Sequence, residues 1–436
     1  MRMRICASLG RLSDLPEAVS ADMIEVRLDL LGSVPDTGNK ETIVTFRDGF
    51  DPSLLPENFS GFADIGEEDI PDAPYRIISS IHDYENTPSA DEIAYSLNSM
   101  NSEVSKGAYA VRDFKNLYDI LKASEKVTKD HVLLGMGKMG EITRIRSDIL
   151  GNMFTFAYIS KPTAPGQISL DEMKNLNESS IITGLVGSPL DKSKSREMHN
   201  RAFVECGISG RYLNFPSPSL DYIGDCIRGY NIRGINVTIP YKESIISCLD
   251  EIDSDAESAK AVNTVVNSDG TLKGYNTDID GIETALKNAD FEMNGKRMLI
   301  MGSGGAARAC IIAALRNNTE ISVAGRNMKT VNKLSSEFGI GIATEESLMS
   351  EFDVIVNATP IGMYGEGTYP VNPNTLDESN TVFDMVYGVE TPIVSKAKNT
   401  GCKIIAGEDM LAMQGARAFE LWTGVKGAFD IMRSCL

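Results

Sequence analysis

The sequence predicts an α/β protein with parallel sheets, built in two successive parts. Three observations carry that prediction: short apolar runs recurring through the first ~175 residues, a change of texture near Ser179, and a glycine-rich turn at Gly302–Gly305 between an apolar run and a helical one. Near-continuous apolar runs, as opposed to alternating ones, suit parallel strands buried on both faces. At 436 residues the chain has room for two or three domains.

Eight runs in the first part read as strands: Arg4–Ser8, Met23–Leu28, Ile43–Phe46, Phe62–Ile65, Arg76–Ser80, Tyr109–Val111, Val132–Met136 and Phe154–Tyr158. Eight β–α units suggest a (β/α)8 TIM barrel. An open doubly wound sheet is the alternative, because the segment is short and Asp64 to Tyr75 barely leaves room for a helix. Polar residues favour the barrel. Glu25 and Arg27 lie on the second run, Arg47 just beyond the third, His82 just beyond the fifth, and Arg144 after the seventh. Strand C-termini converge on one mouth of a barrel, and several Arg there would suit a carboxylate substrate. Lys161–Gln167 reads as a loop and Ser169–Glu178 as a polar helix or linker, which places a domain boundary at 178/179. Further β–α alternation follows, divided into 179–284 and 285–436, with the last helices returning to the middle domain.

The formal charge of −19 argues against nucleic acid or anionic membrane as a partner, since polyanions need clustered Lys and Arg. Seven scattered cysteines and three histidines show no metal-ligand spacing, so no metal is expected, and reduced thiols fit a cytoplasmic protein. No stretch approaches the ~18 apolar residues of a membrane helix. The run Ile5–Leu9 is too short for a signal-peptide core and reads as a strand. The oligomeric state is left open.

Arg297–Met301 is an apolar strand running into Gly302-Ser-Gly304-Gly305-Ala306-Ala307, then the helical run Ala309–Arg316. This is a dinucleotide-binding turn in the context it requires, and it predicts a Rossmann domain. The glycines permit a tight turn and let a pyrophosphate reach the helix N-terminus. An NAD site wants Asp or Glu at the end of the next strand. Here Ile321–Ala324 is followed by Gly325, Arg326 and Asn327, with Lys329 beyond, and cations at that place point to the 2′-phosphate of NADP. Ahead of this domain, Lys242 and Asp278 are candidates for a proton relay during hydride transfer, although from spacing alone a structural salt bridge is the better reading.

Five motifs stand in order: Asn236-Val-Thr238-Ile-Pro-Tyr-Lys242, Asn276-Thr-Asp278, Gly302-x-Gly304-Gly305-Ala306, Asn357-Ala-Thr359-Pro-x-Gly-Met363 and Met410-Leu-x-x-Gln414. With them, 181–436 resembles the shikimate dehydrogenase family. The resemblance implies NADPH-dependent reduction of 3-dehydroshikimate to shikimate. It makes Lys242 and Asp278 the catalytic pair, assigns the ring hydroxyls to Asn236, Thr238, Asn263 and Gln414, and closes Tyr387 over the substrate. Gly302, Gly304, Gly305, Ala306, Arg326, Lys329 and Thr359 would hold the cofactor. The loop Gly187–Ser195 keeps the family's two serines, Ser193 and Ser195, but carries Lys194 and Arg196 where Leu and Pro are usual.

The first 175 residues carry Glu25-Val-Arg27-Leu-Asp29, Thr45-Phe-Arg47, Ser80-Ile-His82-Asp, Gly137-x-x-Gly140-x-x-x-Arg144 and Ala164-Pro-Gly-Gln167. This part resembles type I 3-dehydroquinate dehydratase, whose product is the dehydrogenase's substrate. The resemblance assigns substrate binding to Glu25, Arg27, Arg47, Arg144, Thr163 (usually Ser) and Gln167, with His82 as general acid/base. That chemistry needs a lysine to form an iminium with the ketone. In the alignment through Gly107-Ala-Tyr-Ala-Val111, the lysine position holds Arg112, which cannot form one. Lys115 or Lys106 substitutes, or the alignment is shifted, or the covalent mechanism is lost. Other readings are a shikimate/quinate dehydrogenase with an inactive barrel, and a non-catalytic sensor of dehydroquinate, dehydroshikimate or shikimate.

Overall fold

A computed structural model describes residues 3–47, 49–69, 72–363 and 367–436. The chain forms two compact units, Met1–Leu190 with Ile208–Arg233, and Asp191–Gly207 with Gly234–Leu436.

The first unit is organised by nine parallel strands: β1 (Ile5–Leu9), β2 (Met23–Arg27), β3 (Glu41–Thr45), β4 (Phe62–Asp64), β5 (Arg76–Asp83), β6 (Val104–Ala110), β7 (His131–Met136), β8 (Thr155–Tyr158) and β9 (Ile168–Ser169). Their order is β7-β6-β5-β4-β3-β2-β1-β8-β9. Alternate residues of these strands, among them Cys6, Met23, Ile43, Phe62, Ile78 and Val132, form one apolar core. No ladder joins β7 to β8 among the described residues, but Met153 N–H donates to the His131 carbonyl at 3.0 Å. Asn152 uses its side-chain amide on both the N–H and the carbonyl of Leu133, at 2.7 and 3.0 Å.

Helices Ala90–Ser99, Phe114–Ser124 and Glu141–Ile145 follow β5, β6 and β7. The first starts at a capping box in which Ser89 and Glu92 satisfy each other's backbone N–H groups. The sixth strand begins at Val104, five residues ahead of the expected Tyr109. Ser105 and Lys106 break the apolar run, and both are buried: Ser105 Oγ donates to the Leu97 carbonyl and Lys106 meets a carboxylate. Two satisfied polar groups concealed a strand.

The unit continues past the expected boundary at 178/179. Strands β10 (Ile181–Val186) and β11 (Gly210–Phe215) pair in parallel, and the helix Ile223–Gly229 lies against Phe114–Ser124. Tyr118 stacks on Tyr222 with ring centroids 4.6 Å apart, and Tyr230 donates to the Leu117 carbonyl at 2.9 Å. Arg146 is buried, and its guanidinium donates to the carbonyls of Glu178, Ser180 and Asn231 at 2.9, 2.7 and 3.4 Å. Apolar area, the Tyr230 hydroxyl on Leu117 and the Asn231 carbonyl on Arg146 hold residues 208–233 in the first unit.

In the second unit β12 (Gly234–Val237) runs antiparallel to β14 (Thr264–Ser268), which runs antiparallel to β15 (Thr271–Tyr275). The short β13 (Glu251–Ile252) pairs in parallel with β15. A second sheet contains β16 (Arg297–Met301), β17 (Glu320–Ala324), β18 (Gly341–Ile342), β19 (Val354–Asn357), β20 (Thr381–Asp384) and β21 (Lys403–Ala406), in the order β18-β17-β16-β19-β20-β21 and parallel throughout. Apolar clusters cover both faces, as a doubly wound sheet requires. Its strand order reverses between β16 and β19, the place where such sheets bind ligands. Gly407–Thr423, the long C-terminal helix, packs on the helix Asp278–Asn288, and Trp422 Nε1–H donates to the Val265 carbonyl at 3.0 Å.

Candidate active sites

Each unit gathers one cluster of buried polar side chains. In the second, Lys242 follows β12 after the bend at Ile239–Pro240, and Asp278 opens the helix Asp278–Asn288. A carboxylate in a first helical turn is favoured by the helix dipole. Lys242 Nζ donates to Asp278 Oδ2, and the two side chains are 16% and 5% exposed. The second carboxylate oxygen accepts from Asn263 Nδ2 at 2.8 Å. Asn263 Nδ2 also reaches Thr277 Oγ1 at 3.0 Å and Gln414 Oε1 at 3.4 Å, while its Oδ1 accepts from Thr277 N–H at 2.8 Å. Asn236 Nδ2 donates to Thr264 Oγ1 at 3.0 Å.

Asn236, Asn263, Gln414, Lys242 and Asp278 therefore share one network, and Thr264 and Thr277 complete it. Thr277 sits inside the Asn276–Asp278 motif and Thr264 directly follows Asn263, yet nothing in their spacing marks them as partners of the neighbouring amides. Ser193 and Ser195 hydrogen-bond to each other at 3.2 Å, and Thr238 and Tyr387 are half-buried. Lys194 is ion-paired with Glu197 at 3.1 Å on the surface.

The glycine-rich turn meets this network. A Cβ at Gly305 would lie 2.9 Å from the Cβ and Cδ of Lys242, and one at Gly302, where φ is +134°, would lie 2.7 Å from the Ala358 carbonyl. Both glycines are required by the protein's own packing. A Cβ at Gly304 would meet no atom within 4 Å, so that position opens on free space. Ala306 stands in the first turn of the helix Gly305–Arg316. Arg326 and Lys329 are exposed beyond β17, and no carboxylate stands at that strand's end. Thr359 lies just past β19, its Oγ1 donating to Asn357 Oδ1 at 2.6 Å. A glycine cradle at a helix N-terminus with cations beyond the second strand fits a dinucleotide carrying a 2′-phosphate.

The other cluster draws on strands β1 to β6 of the first unit and on the segments that follow β7 and β8. Glu25 accepts from Ser8 Oγ at 2.6 Å and Thr45 Oγ1 at 2.9 Å. Arg27 is held by Asp29 at 2.6 and 2.8 Å and donates to the Thr163 carbonyl at 3.0 Å. Gln167 Oε1 accepts from Thr163 N–H at 2.7 Å, and its amide donates to Ser8 Oγ at 3.1 Å. Arg144 is buried, its guanidinium 3.4 Å from the Pro165 carbonyl and its Nε without a partner. Burial pushes it down to about 10, so it stays charged at neutral pH.

Lys106 and Asp64 join this cluster, and Arg112 does not. Arg112 lies beyond the end of β6 and is exposed, its backbone N–H donating to Asn116. Lys106 stands within β6, opposite Ser80 on β5, and is 3% exposed. Its Nζ donates to Asp64 Oδ2 at 2.8 Å and lies 4.5 Å from the Phe156 ring centroid. Asp64 also accepts from Ser80 Oγ at 2.6 Å. Lys115, the other alternative, sits on the helix Phe114–Ser124, paired with Asp119 and facing Tyr222.

His82 Nε2 lies 2.9 Å from an Arg47 guanidinium nitrogen. Arginine only donates, so Nε2 is an acceptor and the ring is neutral with its proton on Nδ1. Burial first, then the charges of Lys106 and Arg47, push His82 down to about 3.

Comparison with known proteins meets this geometry at both clusters. The profile described as "Shikimate dehydrogenase substrate binding domain" matches residues 185–265, and "Shikimate 5'-dehydrogenase C-terminal domain" matches 407–434. A shikimate dehydrogenase (NADP(+)) from Archaeoglobus fulgidus is 38% identical over 265 residues, 58% of this chain and 96% of that one. The chain belongs to the shikimate dehydrogenase family. Its first part carries a second domain, matched at residues 65–182 by "Type I 3-dehydroquinase". The shikimate dehydrogenase of Thermus thermophilus, solved with NADP(H) and shikimate, is 32% identical with a TM-score of 0.54, covering 58% of this chain and 98% of that one. A quinate dehydrogenase from Corynebacterium glutamicum, solved with NAD, is 26% identical with a TM-score of 0.55, covering 59% and 98%.

Proposed function

We propose that this shikimate dehydrogenase family member reduces 3-dehydroshikimate to shikimate with NADPH and that its dehydroquinase domain supplies the ketone from 3-dehydroquinate. The observation that carries the first activity is the Lys242–Asp278 pair beside Gly305. NADPH, when bound, supplies the hydride. Lys242 gives a proton to the ketone oxygen as it becomes a hydroxyl, and Asp278 holds the ammonium in place. Asn236, Thr238, Asn263 and Gln414 orient the ring, Ser193 and Ser195 take its carboxylate, and Tyr387 covers it. Arg326 and Lys329 favour NADP over NAD.

In the first unit we read the parallel strands as a closed (β/α)8 barrel, a reading supported by the Met153–His131 hydrogen bond between the two ends of the strand series. Lys106 sheds a proton to solvent and attacks the ketone of dehydroquinate, whose oxygen leaves as water to give an iminium. His82 takes the proton from the adjacent carbon, and the electron pair enters an enamine. The enamine expels the β-hydroxyl, which departs as water with the proton returned by His82, and hydrolysis frees Lys106. Arg27, Arg47 and Arg144 suit the substrate carboxylate. Seven free thiols are at home in a reducing cytoplasm.

The test follows absorbance of NADPH with shikimate and NADP, then with quinate, in wild type and Lys242→Ala. Turnover of shikimate by wild type alone is expected; binding without absorbance change would leave a sensor.

A further inference from the structure

One buried carboxylate in the second unit has no step in this chemistry, yet it is bonded to two loops that carry residues assigned to it. Asp384, the last residue of β20, is 1% exposed and pairs in register with Asn357, the last residue of β19. Asn357 Nδ2 donates to Asp384 Oδ1 at 2.9 Å. The other atom of that amide, Asn357 Oδ1, accepts from Thr359 Oγ1 at 2.6 Å and from Thr359 N–H at 3.2 Å. Thr359 Oγ1 accepts in turn from Ile361 N–H at 3.3 Å. One series of bonds thus runs from the carboxylate into the loop 358–363.

Asp384 holds the loop 385–391 as well. Val386 N–H donates to Oδ1 at 3.0 Å, closing the turn that an aspartate makes with the backbone two residues on. Buried Thr391, at the far end of that loop, donates its hydroxyl to Oδ2. The same Oγ1 accepts from Val394 N–H at 3.4 Å and so caps the helix Pro392–Thr400. The two loops also touch, because a Cβ at Gly362, where φ is +91°, would lie 2.7 Å from Thr391 Cγ2. Tyr387 lies between the two points at which Asp384 grips its loop. Leaving a buried donor without its acceptor costs more than the bond contributes, so the conformation that satisfies Asn357, Val386 and Thr391 together is favoured over others. A loop fixed in this way loses less freedom when a ligand arrives.

We propose that Asp384 is a positioning residue for ketone reduction: one carboxylate sets the loop of Thr359 for the cofactor and the loop of Tyr387 for the substrate. The proposal rests on the dehydrogenase reading above. Its test uses the full chain as wild type, Asp384→Leu, Thr391→Val and Thr391→Ser, measuring kcat and KM for shikimate oxidation and, separately, the Kd for NADPH by fluorescence.

No turnover by wild type would remove the dehydrogenase reading itself, and this proposal with it. Given turnover, Thr391→Val, which keeps the shape and loses the hydroxyl, is expected to raise the KM for shikimate roughly tenfold, the scale of one hydrogen bond, with the NADPH Kd within about twofold of wild type. Thr391→Ser should recover most of that loss. Asp384→Leu keeps the helix cap but frees both loops, and should raise the KM and the NADPH Kd by about tenfold or more each. A merely structural role would lower the folded fraction, and with it the apparent kcat, while KM and Kd held their wild-type values. That result in Asp384→Leu overturns the proposal, and so does a Thr391→Val variant that moves the NADPH Kd as far as the KM. Should Asp384→Leu fail to fold, Thr391→Val decides, and a wild-type KM there overturns it.

Discussion

Burying an ammonium is costly unless a counter-charge and further hydrogen bonds accompany it, and Lys106 has both Asp64 and the face of Phe156. We expect Lys106→Ala to lower dehydratase turnover at least ~1000-fold, the scale of losing a covalent route, while shikimate oxidation stays within about twofold of wild type. Borohydride added with dehydroquinate should leave an adduct on the peptide containing Lys106; an adduct on Lys115 would refute the assignment. A second expectation concerns His82 and His199, each pushed down to about 3 in the fold. In the unfolded chain each titrates near 6.5, so below that pH the unfolded state binds more protons and stability falls. Each imidazole contributes up to ~1.4 kcal/mol per pH unit in that window. Denaturant melts at pH 7, 6 and 5 should show this fall, with a shallower slope in His82→Gln.

Local elements impose the next set of constraints. Gly302, Gly304 and Gly305 look alike in the sequence, but their surroundings differ. A methyl at Gly305 would press on the stem of Lys242, so Gly305→Ala should reduce kcat for shikimate by roughly tenfold or more. A methyl at Gly304 meets no protein atom and projects into the space read as the pyrophosphate cradle. Gly304→Ala should therefore weaken NADPH binding at least ~10-fold, by fluorescence titration, with little change in melting temperature. Equal effects of the two substitutions would contradict this division. Strand β6 shows the converse: its buried Ser105 and Lys106 interrupt the apolar run, and the strand begins five residues ahead of the expected Tyr109.

Across the molecule, the compact units do not follow the boundary at 178/179. Leu121 packs on the bare backbone of Gly229, where a Cβ would come within 2.2 Å of its Cδ2, and Arg146 holds carbonyls at 178, 180 and 231. A fragment ending at residue 178 would expose the Phe114–Ser124 face and leave Arg146 without the carbonyls of Ser180 and Asn231. We expect it to aggregate or to melt well below the full chain. A fragment ending at residue 233, which keeps β10, β11 and Ile223–Gly229, should be more soluble; size-exclusion chromatography of the two decides, and equal behaviour would count against the shared unit.

Residues close together in the chain were legible without coordinates. The β–α alternation, the turn at Gly302–Gly305, the cations at Arg326 and Lys329, and the candidacy of Lys242 and Asp278 all follow from periodicity and local chemistry. Pairing across long separations is different, because burial and hydrogen-bond direction depend on neighbours that sequence order does not name. Only the tertiary structure brought Lys106 to Asp64, joined Asn263 to Asp278 and Gln414, and carried the first unit on to Arg233.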